Sequence, residues 1–314
     1  MGQAITGTPG VRAITGATTI YGILGHPVSH SLSPAIHNTA FAHLGLNCVY
    51  VAFPVSPQDL GTAVRGLAAA GVRGFNITVP HKTAIIPFLD EISLQAEAIG
   101  AVNTVKVEDG RLMGENTDGL GFVHGLHARL GWSPAGKSIT LLGAGGSARA
   151  VAMALLAEGA DSLLICNRTP QKAKDLAARC GARFPQAAVR GGGLEAAAGS
   201  APHLLVNTTT VGMAQKGLSA EPGQPVDLER VNPREGVVDI IYSPPMTPLL
   251  ARAQTLGLAG VNGLPMLLYQ AAAAFEFWTG REPPVDIMEI ALNEALNQTP
   301  AADKQNNHLN KTVL

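Results

Sequence analysis

The 314-residue chain has no excess charge of either sign: 22 Lys plus Arg stand against 23 Asp plus Glu. That balance excludes the broad basic surface that concentrates a protein on nucleic acid or anionic lipid, so an anionic ligand must be met by a local site. Cysteine is scarce. Cys48, Cys166 and Cys180 are odd in number and show no C-x-x-C spacing, which argues against a disulfide framework, a zinc cluster or a thioredoxin-type motif and favours a reducing, cytoplasmic setting. No apolar run approaches membrane-spanning length, and Met1 to Thr18 lacks a basic start leading into an apolar segment, so neither a membrane span nor an export signal is expected.

What is present is a long alternation of strand-like and helix-like segments, the pattern of an α/β protein with mostly parallel sheets. Ile20 to Leu24, Cys48 to Phe53 and Phe75 to Val79 read as strands. Ser33-Pro34 has the N-cap and N1 signature of a helix stopped by Gly45, and Ser56 to Asp59 opens a second one ended at Gly71. Ile92 to Ile99 reads as helical, and Asp109-Gly110 between Val102–Val107 and Arg111–Met113 is a hairpin signal.

Beyond Asn116-Thr117-Asp118-Gly119 a helix over Leu120 to Leu130 leads into a different pattern. The apolar run Ile139 to Leu142 enters Gly143-Ala144-Gly145-Gly146-Ser147-Ala148 and leaves into the helical composition Arg149 to Leu156. Such a strand, glycine turn and helix lets backbone N–H groups approach a pyrophosphate at the helix N-terminus, with Ala148 in the helix-packing position. The next strand, Leu163 to Cys166, ends in Asn167-Arg168-Thr169. An acid there would bind ribose hydroxyls and repel a 2′-phosphate, whereas a guanidinium holds the phosphate with charge-assisted bonds worth roughly 1.5–3 kcal/mol each. NADP is therefore the expected cofactor.

Strands are further expected at Leu204–Asn207, Val237–Ile241 and Ala259–Val261, followed by helices over Pro265–Trp278 and Val285–Leu296 with no strand after them. Those helices have no sheet of their own to cover. The expected organisation is thus a leader over 1–18, a discontinuous substrate domain over 19–118 and 264–297, an inserted Rossmann-type NADP-binding domain over 119–263, and a polar tail over 298–314.

Three segments of the first half carry polar groups at strand ends or helix starts, where open α/β sheets bind ligands. Ser31 and Ser33 offer hydroxyls at a helix N-terminus, suited to a small carboxylate, with Ser33 as a plain helix cap the alternative reading. Asn76 and Thr78 share one side of a strand with Lys82 just beyond it, and Asp118 sits beside the suspected domain hinge. His26, His30 and His37 are spaced four and seven apart, but Pro27 lies between the first two and no carboxylate or cysteine joins them. No metal is expected.

With these motifs in combination, the sequence from about Thr19 to about Leu296 resembles the shikimate dehydrogenase family. The resemblance implies that Ser31 and Ser33 bind the substrate carboxylate and that Thr78, Asn103 in Gly100-Ala101-Val102-Asn103-Thr104, Asp118 and Gln270 bind ring hydroxyls. It makes Lys82 and Asp118 the catalytic pair and Tyr242 a substrate contact. On the cofactor side it implies a phosphate loop over Gly143, Ala144, Gly145, Gly146 and Ser147, an NADP selector in Asn167, Arg168, Thr169 and Lys172, and nicotinamide-side contacts at Ile240 and Gly263. Lys172 stands where the family often has Arg, which keeps the charge without the paired geometry. The implied reaction is reversible NADPH-dependent reduction of 3-dehydroshikimate to shikimate in aromatic (chorismate) biosynthesis. Two other readings stay open here, a quinate/shikimate dehydrogenase using NAD and a catalytically silent dinucleotide-binding regulator. The expected partners are the small-molecule substrate and cofactor, neither nucleic acid nor membrane, with a homodimer left open.

Overall fold

A computed structural model describes residues 14–213 and 223–298. Most of the expected leader, residues 1–13, and the expected tail from 299 onward lie outside the described residues.

Two six-stranded sheets form the framework. The first contains β1 (Thr19–Gly25), β2 (Cys48–Pro54), β3 (Gly74–Ile77), β4 (Glu91–Ile92), β5 (Thr104–Glu108) and β6 (Arg111–Glu115), in the order β2-β1-β3-β5-β6-β4. β1 pairs parallel with β2 and β3 and β4 with β6, while β5 runs antiparallel to both its neighbours. The expected hairpin explains the reversal: Asp109 (φ 51°) and Gly110 (φ 78°) both take positive φ, as a two-residue turn between twisted strands requires.

Helices α1 (Ser33–His43), α2 (Leu60–Ala69) and α3 (Leu94–Ile99) come from the same half of the chain. The late helices α9 (Leu264–Thr279) and α10 (Val285–Gln298) return to this sheet. Phe275, Trp278, Met288 and Leu292 share one apolar cluster with Tyr21, Ile36, Phe41 and Tyr50. Trp278 donates its indole N–H to the Val105 carbonyl (2.9 Å), and its ring fills the space a side chain at Gly74 would need. Burying an aliphatic or aromatic side chain of this size contributes about 1.5–3 kcal/mol.

The second sheet is parallel throughout: β7 (Ser138–Leu142), β8 (Ser162–Cys166), β9 (Ala188–Gly192), β10 (Leu204–Asn207), β11 (Gly236–Asp239) and β12 (Ala259–Val261), ordered β12-β11-β10-β7-β8-β9. This is the doubly wound nucleotide-binding order, and the chain reverses direction across the sheet between β7 and β10. Helices α5 (Gly146–Ala157), α6 (Pro170–Arg183), α7 (Leu228–Val231) and α8 (Pro248–Thr255) accompany it.

Sequence periodicity missed β4, β9, α6, α7 and α8, and Ile92, expected to begin a helix, lies in β4 ahead of α3. β9 is an edge strand reading Ala-Val-Arg-Gly-Gly with none of its residues buried, so it lacks the apolar alternation that marks a half-buried strand. α7 has only four residues.

α4 (Asp118–Leu130) joins the halves, lying between α9 and α5. Its glycines make that possible. A Cβ on Gly121 would lie 2.5 Å from the backbone nitrogen of Gln270 in α9, and one on Gly119 would lie 2.8 Å from the carbonyl of Ala150 in α5. Only side-chain-free positions let one helix approach two neighbours so closely.

Candidate active site

At the start of α4 the chain turns through Asn116 and Thr117 into Asp118, all three buried. The Asn116 amide oxygen accepts from the Asp118 backbone N–H (3.1 Å), and its Nδ2 donates to the Ala101 carbonyl (2.9 Å). Asp118 Oδ2 accepts from Lys82 Nζ at 2.5 Å, and Asp118 Oδ1 accepts from Asn103 Nδ2 at 2.8 Å. Lys82 in turn donates to Ser147 Oγ (3.3 Å) in the glycine turn of the second half. An amine from the β3 loop and a carboxylate from the α4 start thus meet beside the glycine turn.

The amide of Asn103 is the hub. Its oxygen accepts from the Thr117 backbone N–H (2.8 Å), while Nδ2 lies 3.0 Å from Thr117 Oγ1 and 3.4 Å from Gln270 Oε1. Gln270 is itself 8% exposed rather than an open helix residue, its Nε2 bonded to the Leu267 carbonyl (3.0 Å). Low local dielectric strengthens such a network and penalises any member left unpaired.

Ser33 does not cap α1. The cap position is Leu32, and Ser33 lies within the helix, 3% exposed, its backbone N–H donating to Ser31 Oγ (3.3 Å). The two serines therefore sit side by side with the Ser33 hydroxyl free of capping duty. Thr78 follows β3, half-buried. Asn76 has a structural role instead: Tyr50 donates its hydroxyl to Asn76 Oδ1 (2.6 Å), and Asn76 Nδ2 reaches the Asn103 carbonyl (3.2 Å). Burial holds the Tyr50 phenol well above its ordinary pKa, so it stays a donor. Tyr242, half-buried after β11, has its phenol raised by the same cause.

On the cofactor side Gly143 takes φ 113°, and a side chain there would strike the Thr208 hydroxyl. Gly145 is the extended N-cap of α5 with open space where its Cβ would be, and Gly146 and Ser147 begin the helix, followed by the buried Ala148. Ala144 is buried beneath the turn. The result is a side-chain-free cradle over a helix N-terminus, the geometry an anion needs. Arg168 and Thr169 stand exposed after β8, Asn167 braces the turn through its Nδ2 to the Thr169 carbonyl (3.0 Å), and Lys172 is exposed in the first turn of α6. Cradle and cations together fit a phosphorylated dinucleotide. Gly263 donates its N–H to the Ile241 carbonyl (3.0 Å), and a Cβ there would collide with the Ile240 carbonyl, so these loops touch as backbone.

Several polar groups escaped the sequence reading. Asn116 and Thr117 were visible beside Asp118 but gave no sign of their partners. Asp239, fully buried at the end of β11, accepts from Asn207 Nδ2 (3.0 Å), the Ile241 N–H (3.2 Å) and Thr247 Oγ1 (2.7 Å), tying together the loops that carry Ile240 and Tyr242. Burial raises its pKa. An acid ending the apolar run Val237-Val238 was the signal. Of the three spaced histidines, His37 is sealed in an aromatic cluster, stacked on Tyr50 at 4.5 Å, while His26 and His30 are exposed. Among the described residues no group of three or more His, Cys, Asp or Glu could hold a metal.

Comparison with known proteins agrees with this geometry. Residues 23–105 match the family model for the shikimate dehydrogenase substrate binding domain, 127–190 that for shikimate/quinate 5-dehydrogenase, and 263–292 that for the shikimate 5′-dehydrogenase C-terminal domain. A shikimate dehydrogenase (NADP+) of Moorella thermoacetica is 48% identical over 301 residues, 94% of this chain and 99% of the relative. A crystal structure of a shikimate dehydrogenase with NADP+ superposes with a TM-score of 0.83 at 40% identity, over 92% of this chain and 99% of the other. One from Thermus thermophilus in complex with NADP(H) and shikimate gives 0.77 at 41%, over 88% and 100%. The chain belongs to the shikimate dehydrogenase family.

Proposed function

We propose that this chain catalyses the reversible NADPH-dependent reduction of 3-dehydroshikimate to shikimate, with Lys82 and Asp118 as its catalytic pair. The observation that carries the reading is the Lys82–Asp118 ion pair at 2.5 Å, set against Ser147 of the phosphate loop.

Bound NADPH supplies the hydride to the carbonyl carbon of the substrate. Lys82, as an ammonium, gives a proton to the carbonyl oxygen; in the oxidation direction the neutral amine takes it back from the hydroxyl. Asp118 holds the amine through one carboxylate oxygen while Asn103 fixes the other, so the pair cannot rotate away. Asn103 Nδ2 has two hydrogens facing three acceptors, and the 3.4 Å contact to Gln270 is the weakest of the three. A ring hydroxyl that displaces it satisfies both amides. Thr78 and Tyr242 complete the hydroxyl contacts, and Ser31 and Ser33 receive the carboxylate. Gly143 to Ser147 hold the pyrophosphate, Asn167, Arg168, Thr169 and Lys172 the 2′-phosphate end, and Ile240 and Gly263 the nicotinamide side.

The corresponding division of labour assigns substrate binding to residues 19–118 and 264–297 and cofactor binding to 119–263, with α4 as the shared beam. No helix among the described residues is long and apolar enough to cross a membrane. The cytoplasm is the proposed compartment, in keeping with Cys166 and Cys180 buried and their thiols pushed up to about 11. A homodimer is the proposed assembly, to be read by light scattering.

Initial rates with shikimate and quinate, each with NADP+ and NAD+, test the reading. Shikimate with NADP+ should give the highest kcat/KM; preference for quinate with NAD+ would overturn it, and NADP+ binding without turnover would make the chain a silent binder.

A further inference from the structure

Two arginines outside the site just described converge on it from behind. Arg149 lies in the first turns of α5, the helix whose start carries Gly146 and Ser147; Arg179 lies in α6, whose first turn carries Lys172. Both cross to the other half of the molecule. Arg149 Nη1 is 3.4 Å from the Gly100 carbonyl, and Arg179 Nη1 is 3.4 Å from the Ala98 carbonyl. Those carbonyls end α3, where the last helix C=O groups lack intrahelical partners and carry the negative end of the helix dipole. Gly100 makes the approach possible twice over. It takes the left-handed cap conformation (φ 68°), and a side chain on it would occupy the Arg179 guanidinium position.

What the arginines grip is the backing of the catalytic pair. Immediately beyond Gly100, the Ala101 carbonyl accepts from Asn116, which holds the Asp118 N–H. The next residue, Val102, donates its N–H to the carbonyl of Lys82 itself (2.8 Å), and Asn103 donates to Asp118. Residues 100–103 thus connect the guanidinium contacts to the Lys82 main chain through Val102, to the Asp118 backbone through Asn116 and to the Asp118 carboxylate through Asn103. The two cations also repel one another: Arg149 is half-buried, and its pKa is lowered by burial and then by Arg179. Such a pair stays together only while the α3 carbonyls compensate it, so this contact depends on how α5 and α6 are set against α3.

We infer that Arg149 and Arg179 are positioning residues that transmit cofactor binding to the substrate loop: when a dinucleotide settles the starts of α5 and α6, the arginines on the same helices fix residues 98–103 and, through them, Lys82 and Asp118. NADP+ and shikimate therefore bind cooperatively, each raising the affinity for the other by the same factor. Because this rests on the proposed ligands, wild-type turnover is measured alongside.

Titration calorimetry of shikimate with and without saturating NADP+ reads the effect. In the wild type NADP+ should tighten shikimate about fivefold or more. In R149M/R179M that ratio should fall toward one, while the Kd for shikimate alone shifts less than about twofold. A merely structural role would lower stability and leave the ratio intact. The single variant R179M, altering an exposed side chain, should show part of the loss and keeps the test open if the double variant does not fold. Hydrogen–deuterium exchange gives a readout independent of the substrate: NADP+ should protect amides 98–103 in the wild type and not in the variant. An equal coupling ratio in wild type and variants, or equal protection, overturns the inference. Absent wild-type turnover would strike the proposed reaction instead, with the exchange result still deciding the arginines.

Discussion

On the proposed substrate wall Asn103, Thr117, Asp118 and Gln270 are each less than a tenth exposed and bonded to one another, whereas on the proposed cofactor wall Arg168, Thr169 and Lys172 stand in solvent beside the side-chain-poor start of α5. The first wall bonds its polar groups to one another before any ligand arrives, which holds the Lys82–Asp118 pair in a fixed geometry, as the proposed proton transfer requires, within a network that any one loss weakens. The second keeps its donors open and lets a highly charged ligand complete them. Changes on the first wall should therefore strike turnover, and changes on the second should strike cofactor affinity.

The largest separation between the walls is expected from Asp118→Asn. With the carboxylate that holds Lys82 gone, kcat should fall roughly 10²-fold or more while the Kd for NADP+, measured by fluorescence titration, stays near the parent value. Equal losses in both would erase the distinction.

Arg168→Ala probes the other wall. Losing a charge-assisted contact of about 1.5–3 kcal/mol should raise the KM for NADPH about ten- to a hundredfold and leave the KM for NADH nearly unchanged. Steady-state kinetics with both cofactors would show it, and a parallel rise for NADH would mean that Arg168 does not face the 2′-phosphate.

Beneath the substrate wall His37 is fully buried with neither ring nitrogen bonded, and burial lowers its pKa from 6.5 to about 3. The unfolded chain therefore takes up a proton before the folded one does as the pH falls. The stability of the neutral buried ring is fully present above about pH 6.5 and is lost progressively toward pH 3, about 2 kcal/mol of it by pH 5. Urea unfolding at pH 7.5 and 5.0 should show this loss in the parent and not in His37→Phe. The smallest effect is expected from Lys172→Ala, an exposed point charge: about a two- to fivefold rise in the KM for NADPH.

The same contrast explains what could be read from the chain without coordinates. The cofactor wall is local: strand, glycine turn, helix, strand and the Asn167-Arg168-Thr169 tripeptide follow one another continuously, so periodicity and turn chemistry suffice to place them. The substrate wall is not. Gln270 and Asn103 are 167 residues apart, and no spacing rule connects them; only the family resemblance did. Asn76 shows the converse, a polar strand residue that suggested a ligand contact but is occupied by Tyr50 and the Asn103 carbonyl. Ser33 was legible as a helix-start residue, yet its burial inside α1, which frees the hydroxyl from capping, depends on packing. In the sequence Arg149 is only one residue of a helical run, because its partner carbonyl lies in the other half of the molecule.

The account stands on Lys82 moving the proton, and the pH–rate profile of Lys82→Ala tests that most directly. With shikimate and NADP+ at saturation, turnover should drop by about 10²–10⁴ across the range, with a pH dependence different in shape from the parent's. A profile with the height and shape of the parent's would contradict it.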